Sequence, residues 1–73
     1  MISNVSILGS RIRLLEMRDD PDPIPVGTCG VITEIYVHDG WMQFEVDWDN
    51  GRKLMLSVPP DRFEVVVDQR FDN

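Results

Sequence analysis

The chain has 73 residues, of which 42% are hydrophobic and 27% are charged. This leaves room for one folded domain and differs from the composition of a disordered segment. The formal net charge is −6 and the sequence pI is about 4.4, which disfavours general nucleic-acid binding because phosphate backbones repel an acidic surface. No apolar run approaches the ~18 residues of a membrane helix, and the first residues do not resemble a signal peptide.

The N-terminal third predicts one strand followed by a long loop. Residues 1–8 are rich in Ile, Val and Leu, and we expect an arm or a short extra strand there, which could pair with another copy of the chain. In residues 11–14, two arginines alternate with Ile12 and Leu14, the period-two pattern of a half-buried strand. Residues 18–27 contain three prolines, which exclude a helix or a central strand and predict an extended loop.

Residues 29–48 predict a hairpin of two strands. The first, over 29–37, is rich in β-branched residues, but its inward face stays open, because a bulge near Gly30 would mix its two sides. His38-Asp39-Gly40 predicts a turn. The second strand, W-M-Q-F-E-V-D-W, alternates regularly. It points Met42, Phe44, Val46 and Trp48 inward, and Trp41, Gln43, Glu45 and Asp47 outward.

The segment V-D-W-D-N-G-R-K-L predicts a second hairpin with a three-residue loop, 49–51. A two-residue Asn-Gly loop would place acids beside leucines on one face, whereas the three-residue loop pairs apolar with apolar residues and acids with bases. Burial therefore selects the latter register. In this register Phe44 faces Leu56, Val46 faces Leu54 and Asp47 faces Lys53. We expect Gly51 in the left-handed region and the side chain of Asp49 capping the turn.

The rest of the chain predicts two more strands. The fourth covers residues 52–57, P-P-D-R fits one 3₁₀ turn, and F-E-V-V-V forms a fifth strand with Phe63 and Val65 inward. Together these elements predict an all-β fold, a small five-stranded SH3-like barrel with a 3₁₀ turn before the last strand. The barrel domain spans 9–67, between an N-terminal arm, 1–8, and a flexible tail, 68–73.

Four motifs resemble a family of small bacterial and phage proteins of unknown function. They are G-S-R-I-R-L-L-E-M, P-V-G-T-C-G-V-I-T-E-I, V-D-W-D-N-G-R-K-L and D-R-F-E-V-V, and the resemblance covers residues 9–67. It implies an outline similar to SH3-like and KOW-like barrels and a phage or mobile-element setting, without any known activity. The chain departs from the family pattern at Val58-Pro59-Pro60-Asp61, where the family usually has a Gly-containing turn.

The candidate chemical sites are weak, so we expect no catalytic, cofactor or metal site. Cys29 and His38, the only cysteine and the only histidine, lie at opposite ends of one predicted strand and cannot share a zinc ion. The segment D-W-D-N-G lacks the ligand spacing of a calcium loop. A single cysteine permits no disulfide within the chain, which fits a cytoplasmic location.

Protein binding is the function that the sequence favours. The long first loop and the turn between the second and third strands supply six candidate contact residues, Asp19, Asp20, Asp22, Tyr36, His38 and Trp41. An exposed tryptophan beside acids is typical of an interface anchor, although Trp41 could instead pack over the barrel mouth or under residues 1–8. One form of this hypothesis is that the acidic surface mimics nucleic acid.

Two alternative functions remain at this point. A KOW-like nucleic-acid contact would use Arg11, Arg13, Arg52 and Lys53, but the net charge and the lack of interleaved aromatic residues oppose it. A structural subunit would assemble with copies of itself through residues 1–8.

Overall fold

The computed structural model describes residues 7–67, and the predicted tail, 68–73, and most of the predicted arm lie outside them. Its five antiparallel strands are β1 (Arg11–Glu16), β2 (Cys29–His38), β3 (Trp41–Trp48), β4 (Leu56–Val58) and β5 (Arg62–Val65). They form one sheet in the order β4-β3-β2-β1-β5, and no helix occurs between residues 7 and 67. The predicted all-β, five-stranded class is therefore confirmed.

The sheet is curled but does not close into the predicted barrel. β4 and β5 are its outer strands, and no backbone pairing joins the two within the described residues. The ring of Phe44 on β3 nevertheless meets that of Phe63 on β5 edge to face, with centroids 5.0 Å apart. Since β2 and β1 lie between these strands in the sheet, the sheet must bend around its apolar face.

The core lies on the concave side of this bend. The alternation predicted for β1 and β3 is confirmed, because their inward residues are buried, apart from half-buried Met42, and the residues between them are more exposed. The proline-containing loop between β1 and β2 adds Ile24, whose backbone N–H donates to Sδ of Met17 at 3.2 Å. The fully or nearly buried apolar residues are Ile12, Leu14, Ile24, Ile32, Phe44, Val46, Trp48 and Leu56.

A bulge at Thr33, and not near Gly30, settles the inward face of β2, which the sequence left open. Ile32 pairs with Val46 and Glu34 pairs with Glu45, so Thr33 is the extra residue. Gly30 is in regular register opposite Trp48, and a side chain there would meet Asp47 O at 2.8 Å. The extra residue at position 33 places Ile32 and Ile35 on the same face, although they are three positions apart.

The β3–β4 hairpin has the predicted three-residue loop and register. Gly51 N–H donates to Trp48 O at 2.9 Å, Trp48 N–H donates to Arg52 O at 3.2 Å, and Gly51 has φ +88°. Phe44 faces Leu56 as expected. The predicted cap is wrong, because Asn50 Oδ1, not Asp49, accepts the N–H of Arg52. Asp49 instead bonds Arg11.

β4 is shorter than predicted, since it begins only at Leu56. The backbone before it has another partner: Leu54 O accepts the indole N–H of buried Trp48 at 2.8 Å. The predicted pairing of Asp47 with Lys53 does not produce an ion pair between them in the described part of the chain.

The connection between β4 and β5 is a turn, and no 3₁₀ helix occurs within residues 7–67. The peptide bonds preceding Pro59 and Pro60 are both cis. Asp61 is buried here, and its carboxylate accepts the backbone N–H of Arg18 at 2.8 Å and that of Ser57 at 3.0 Å. One side chain thus joins the start of the first loop to β4.

On β5, the inward prediction holds for Phe63 and only partly for Val65. Phe63 is half-buried and packs against the core. Val65 pairs with Ile12 and so faces the same side, but it is 43% exposed because β5 is an outer strand that nothing in the described chain covers.

Candidate functional site

The tip of the β2–β3 hairpin carries a stacked pair of rings. His38 and Trp41 are opposite each other at the last paired position, joined by the two-residue loop Asp39-Gly40. Gly40 has φ +87°, a conformation that residues with a side chain rarely adopt. The imidazole and indole rings stack with centroids 4.0 Å apart and planes 14° from parallel. Trp41 is still 37% exposed, so the stacked pair forms an aromatic surface open to solvent.

This surface continues along the sheet side that faces away from the core. Gln43 Oε1 accepts a hydrogen bond from His38 Nε2 at 3.2 Å, and Gln43 Nε2 donates to Met55 Sδ at 3.0 Å. Tyr36 lies opposite Gln43 and donates its O–H to Glu45 Oε1 at 3.5 Å. We call this surface the outer hairpin face; it comprises Glu34, Tyr36, His38, Trp41, Gln43, Glu45 and Met55.

The outer hairpin face is electrostatically negative. Glu34 and Glu45 are directly opposite each other in the register. Glu45 Oε1 lies 3.5 Å from the Tyr36 phenol oxygen. The charge of Glu45, followed by partial burial and the charge of Glu34, raises the pKa of this phenol. None of the ion pairs within residues 7–67 involves Glu34 or Glu45. The face therefore combines aromatic rings with two carboxylates that lack a cationic partner.

The three predicted aspartates lie in the first loop, between β1 and β2. We call residues 19–22 of this loop the acidic loop. Asp19 is exposed and has φ 61°, and Asp20 Oδ1 accepts the backbone N–H of Asp22 at 2.9 Å. Arg52 holds the loop from the other side: its guanidinium donates to Asp22 O at 2.7 Å and to Pro23 O at 3.4 Å. The Asp22 carboxylate, 86% exposed, lies 3.5 Å from the same guanidinium.

The structure brings three of the six predicted residues together and leaves the other three apart. Tyr36, His38 and Trp41 share the outer hairpin face. No hydrogen bond, ion pair or ring contact within residues 7–67 joins them to the acidic loop. Asp22 is tied to Arg52, which pairs with Trp48 at the opposite end of β3 from Trp41. At the usual rise per residue, the eight residues of β3 separate these ends by roughly 23 Å.

The arginines of the alternative nucleic-acid surface bond to groups of the chain itself. Arg11 forms two hydrogen bonds to Asp49, at 2.8 and 3.0 Å, and Arg13 bonds Glu64. Each hydrogen bond and its charge interaction raise the arginine pKa, and Arg11 lowers the pKa of Asp49. The Arg52 guanidinium donates its hydrogen bonds to the backbone carbonyls of Asp22 and Pro23. Lys53 has no such contact among the described residues.

Sequence reasoning missed the paired glutamates and Met55. The alternation of β3 placed Glu45 outward, but the identity of its neighbour depends on the bulge at Thr33, which no glycine or proline marks. The predicted β3–β4 register already places Met55 opposite Glu45 on the outer side, but nothing in the sequence marked Met55 as a site residue. Asp61 was missed because its two partners are distant in sequence or across a turn.

Within the described residues, the side chains do not build an enclosed chemical site. No group of three or more His, Cys, Asp or Glu side chains is placed to hold a metal ion, and no pocket is found. No helix in this part of the chain is long and apolar enough to cross a membrane.

Fold and surface together define a small all-β domain with one curled sheet and an exposed aromatic, acidic hairpin. Residues 6–66 match the family model of a domain of unknown function, DUF4314. The chain belongs to this family. No curated protein and no solved structure gives a significant match.

Proposed function

We propose that this chain is a small non-enzymatic module that binds another protein through the outer hairpin face, with the acidic loop as a second contact. The observation that carries the proposal is the stacked His38–Trp41 pair, which presents a large ring at the solvent-exposed end of a two-stranded ribbon. Tryptophan and tyrosine contribute more binding energy per residue than most side chains when a partner covers them. The fold does not need Trp41 in its core, because eight other residues fill it.

The surroundings of Trp41 support a docking role over a purely structural one. Gln43 bonds both His38 and Met55, so the side chains around the ring are already held in place. An ordered surface loses little conformational entropy on binding, which favours affinity. Tyr36 and Met55 are also partly exposed, at 42% and 37%, and they extend the apolar area beside the ring.

The proposal also includes the finer expectations from the sequence. An SH3-like relationship is supported by the strand order β4-β3-β2-β1-β5 and by the contact of Phe44 with Phe63 across the bend. A phage-related setting and a host or phage protein as partner rest on the motif resemblance, and a cytoplasmic location on the single Cys29. The acidic loop lies far from Trp41, so a partner that contacts both must span one edge of the domain.

The test is affinity capture from host lysate with matched variants. Trp41→Ala should keep the folded spectrum and lose the captured protein. Val65→Ala removes apolar area of similar exposure from the outer strand β5 and should capture normally. Asp19→Lys combined with Asp20→Lys should reduce capture if the loop is the second contact. The proposal is wrong if Trp41→Ala captures the same proteins in the same amounts as the wild type.

A further inference from the structure

We propose that the outer hairpin face recognises a basic segment of its partner, with an arginine side chain bound between the carboxylates of Glu34 and Glu45 and beside the ring of Tyr36. This inference rests on the proposed function and names the chemistry of the partner. Its basis is a pair of like charges at directly opposed positions of an antiparallel ladder.

Opposed glutamates are an unfavourable arrangement for the isolated chain. Like charges that face each other across two strands destabilise a sheet, whereas opposite charges stabilise it. The rest of the described chain follows the favourable rule: Arg13 faces Glu64 across β1 and β5 and bonds it. Glu34 and Glu45 depart from this rule, and neither forms an ion pair with another of residues 7–67. A cation supplied from outside would relieve the repulsion, so the free energy gained on binding exceeds that of an already neutralised surface.

The groups around the two carboxylates favour arginine over a simple ion. The Tyr36 O–H donates a hydrogen bond to Glu45, and the charges of both glutamates raise the pKa of this phenol. The ring of Tyr36 therefore lies beside the position expected for the guanidinium of the partner. A planar guanidinium can stack on an aromatic ring while it donates to carboxylates, which an ammonium group does less well. Met55 and Trp41, both partly exposed, provide apolar surface for the aliphatic stem and for neighbouring residues of the segment.

The excess of acidic over basic residues in the chain favours a basic partner. The chain has 13 acidic and 7 basic residues, and the described ion pairs engage Arg11, Arg13, Arg18, Arg52 and Arg62 with acids away from the hairpin. Among residues 7–67, no arginine forms an ion pair with an acid of this face. Its excess negative charge also steers a basic partner toward it.

The experiment is an NMR titration of the ¹⁵N-labelled full chain with a short arginine-containing peptide. The matched peptide has citrulline, which has the same shape without the charge, at each arginine position. We expect the amide signals of residues 34–45 and the Trp41 indole signal to shift in a saturable way with arginine and little with citrulline. Glu34→Gln combined with Glu45→Gln should fold at least as well as the wild type and weaken binding about tenfold, given up to ~5-fold for each exposed charge pair.

The control variant is Asp19→Asn combined with Asp20→Asn, which removes the same two charges from the acidic loop. It should bind the arginine peptide nearly as tightly as the wild type. If this loop variant loses binding and the glutamine variant does not, or if citrulline binds equally well, the arginine site is refuted. In that case, loss of capture by Trp41→Ala would still support the proposed function, so the two failures are distinguishable.

Discussion

The buried carboxylate of Asp61 connects two separate parts of the backbone, at Arg18 and at Ser57. Its two oxygens accept the backbone N–H groups of Arg18 and Ser57, and its own N–H donates to Ser57 O at 2.9 Å. These bonds fix the beginning of the first loop against β4, which has only three residues. The acidic loop is therefore anchored at one end by Asp61 and farther along by Arg52.

We predict that Asp61→Ala lowers the free energy of unfolding by about 1–3 kcal/mol, because it leaves two partly buried N–H groups without their acceptor. Urea denaturation of the purified variants measures this. Asp22→Ala is the control, since that carboxylate is 86% exposed and its removal should change stability by less than about 0.5 kcal/mol. Equal stability of the two variants would contradict the role assigned to Asp61.

The Arg11–Asp49 pair predicts a defined pH dependence. Arg11 lowers the pKa of Asp49 in the folded chain, so the pair stabilises the fold above the ordinary aspartate pKa near 4. This stabilisation is lost as the pH falls through the lowered folded pKa. The melting temperature of Asp49→Asn should therefore lie below that of the wild type at pH 7, and the two should converge under strongly acidic conditions.

Thermal unfolding from pH 7 to pH 2 tests this convergence. Asp47→Asn removes the same charge from an exposed position of β3 that forms no ion pair in the described structure, and its difference from the wild type at pH 7 should be smaller. A gap between Asp49→Asn and the wild type that stays constant over the whole range would show that the ion pair is not its cause.

At the scale of elements, the second hairpin shows why its register could be predicted. Phe44, Val46 and Trp48 alternate with polar residues, and only one loop length puts Leu56 on their side of the ribbon. The inward face of β2 stayed open because both faces of that strand carry branched apolar residues, so alternation does not choose between registers. The exposure of Val65 depends on which strand ends the sheet, and no local pattern contains that information.

The candidate site could also be predicted only where its residues are close in sequence. The aromatic residues Tyr36, His38 and Trp41 are close in sequence around one turn, so their joint surface could be predicted. The acidic loop was assigned to the same site from the usual arrangement of small barrels, but Arg52 holds Asp22 toward the other end of β3. The Glu34–Glu45 pair needs the true register of β2, which the sequence left open.

Gly51 provides a direct test of the second hairpin. Its φ is +88° and no atom lies within 4 Å of the position where a Cβ would stand, so a side chain there meets backbone strain and no steric contact. Gly51→Ala should lower the free energy of unfolding by about 1–2 kcal/mol, and Gly51→Asn by less, because asparagine adopts this conformation more readily. Denaturation curves of the two variants measure the difference; equal values would contradict the left-handed turn.

At the scale of the whole molecule, charge pairing separates the two binding hypotheses. The arginines of β1 form ion pairs with Asp49 and Glu64, whereas Glu34 and Glu45 form none with any residue that the structure describes. A phosphate backbone that bound Arg11 and Arg13 would have to displace Asp49 and Glu64. A basic protein segment at the outer hairpin face would displace no such ion pair. The curled sheet also presents the hairpin beyond the core, where a partner can reach it without disturbing the packing.

Site-specific photo-crosslinking in the host cell tests the docking claim most directly. A benzoylphenylalanine in place of Tyr36 lies on the outer hairpin face, and one in place of Val67, which is 68% exposed, lies beyond the end of β5. The account predicts a discrete adduct from position 36 that disappears when Trp41→Ala is added, and no such adduct from position 67. The same adduct from both positions, or its persistence without Trp41, would contradict it.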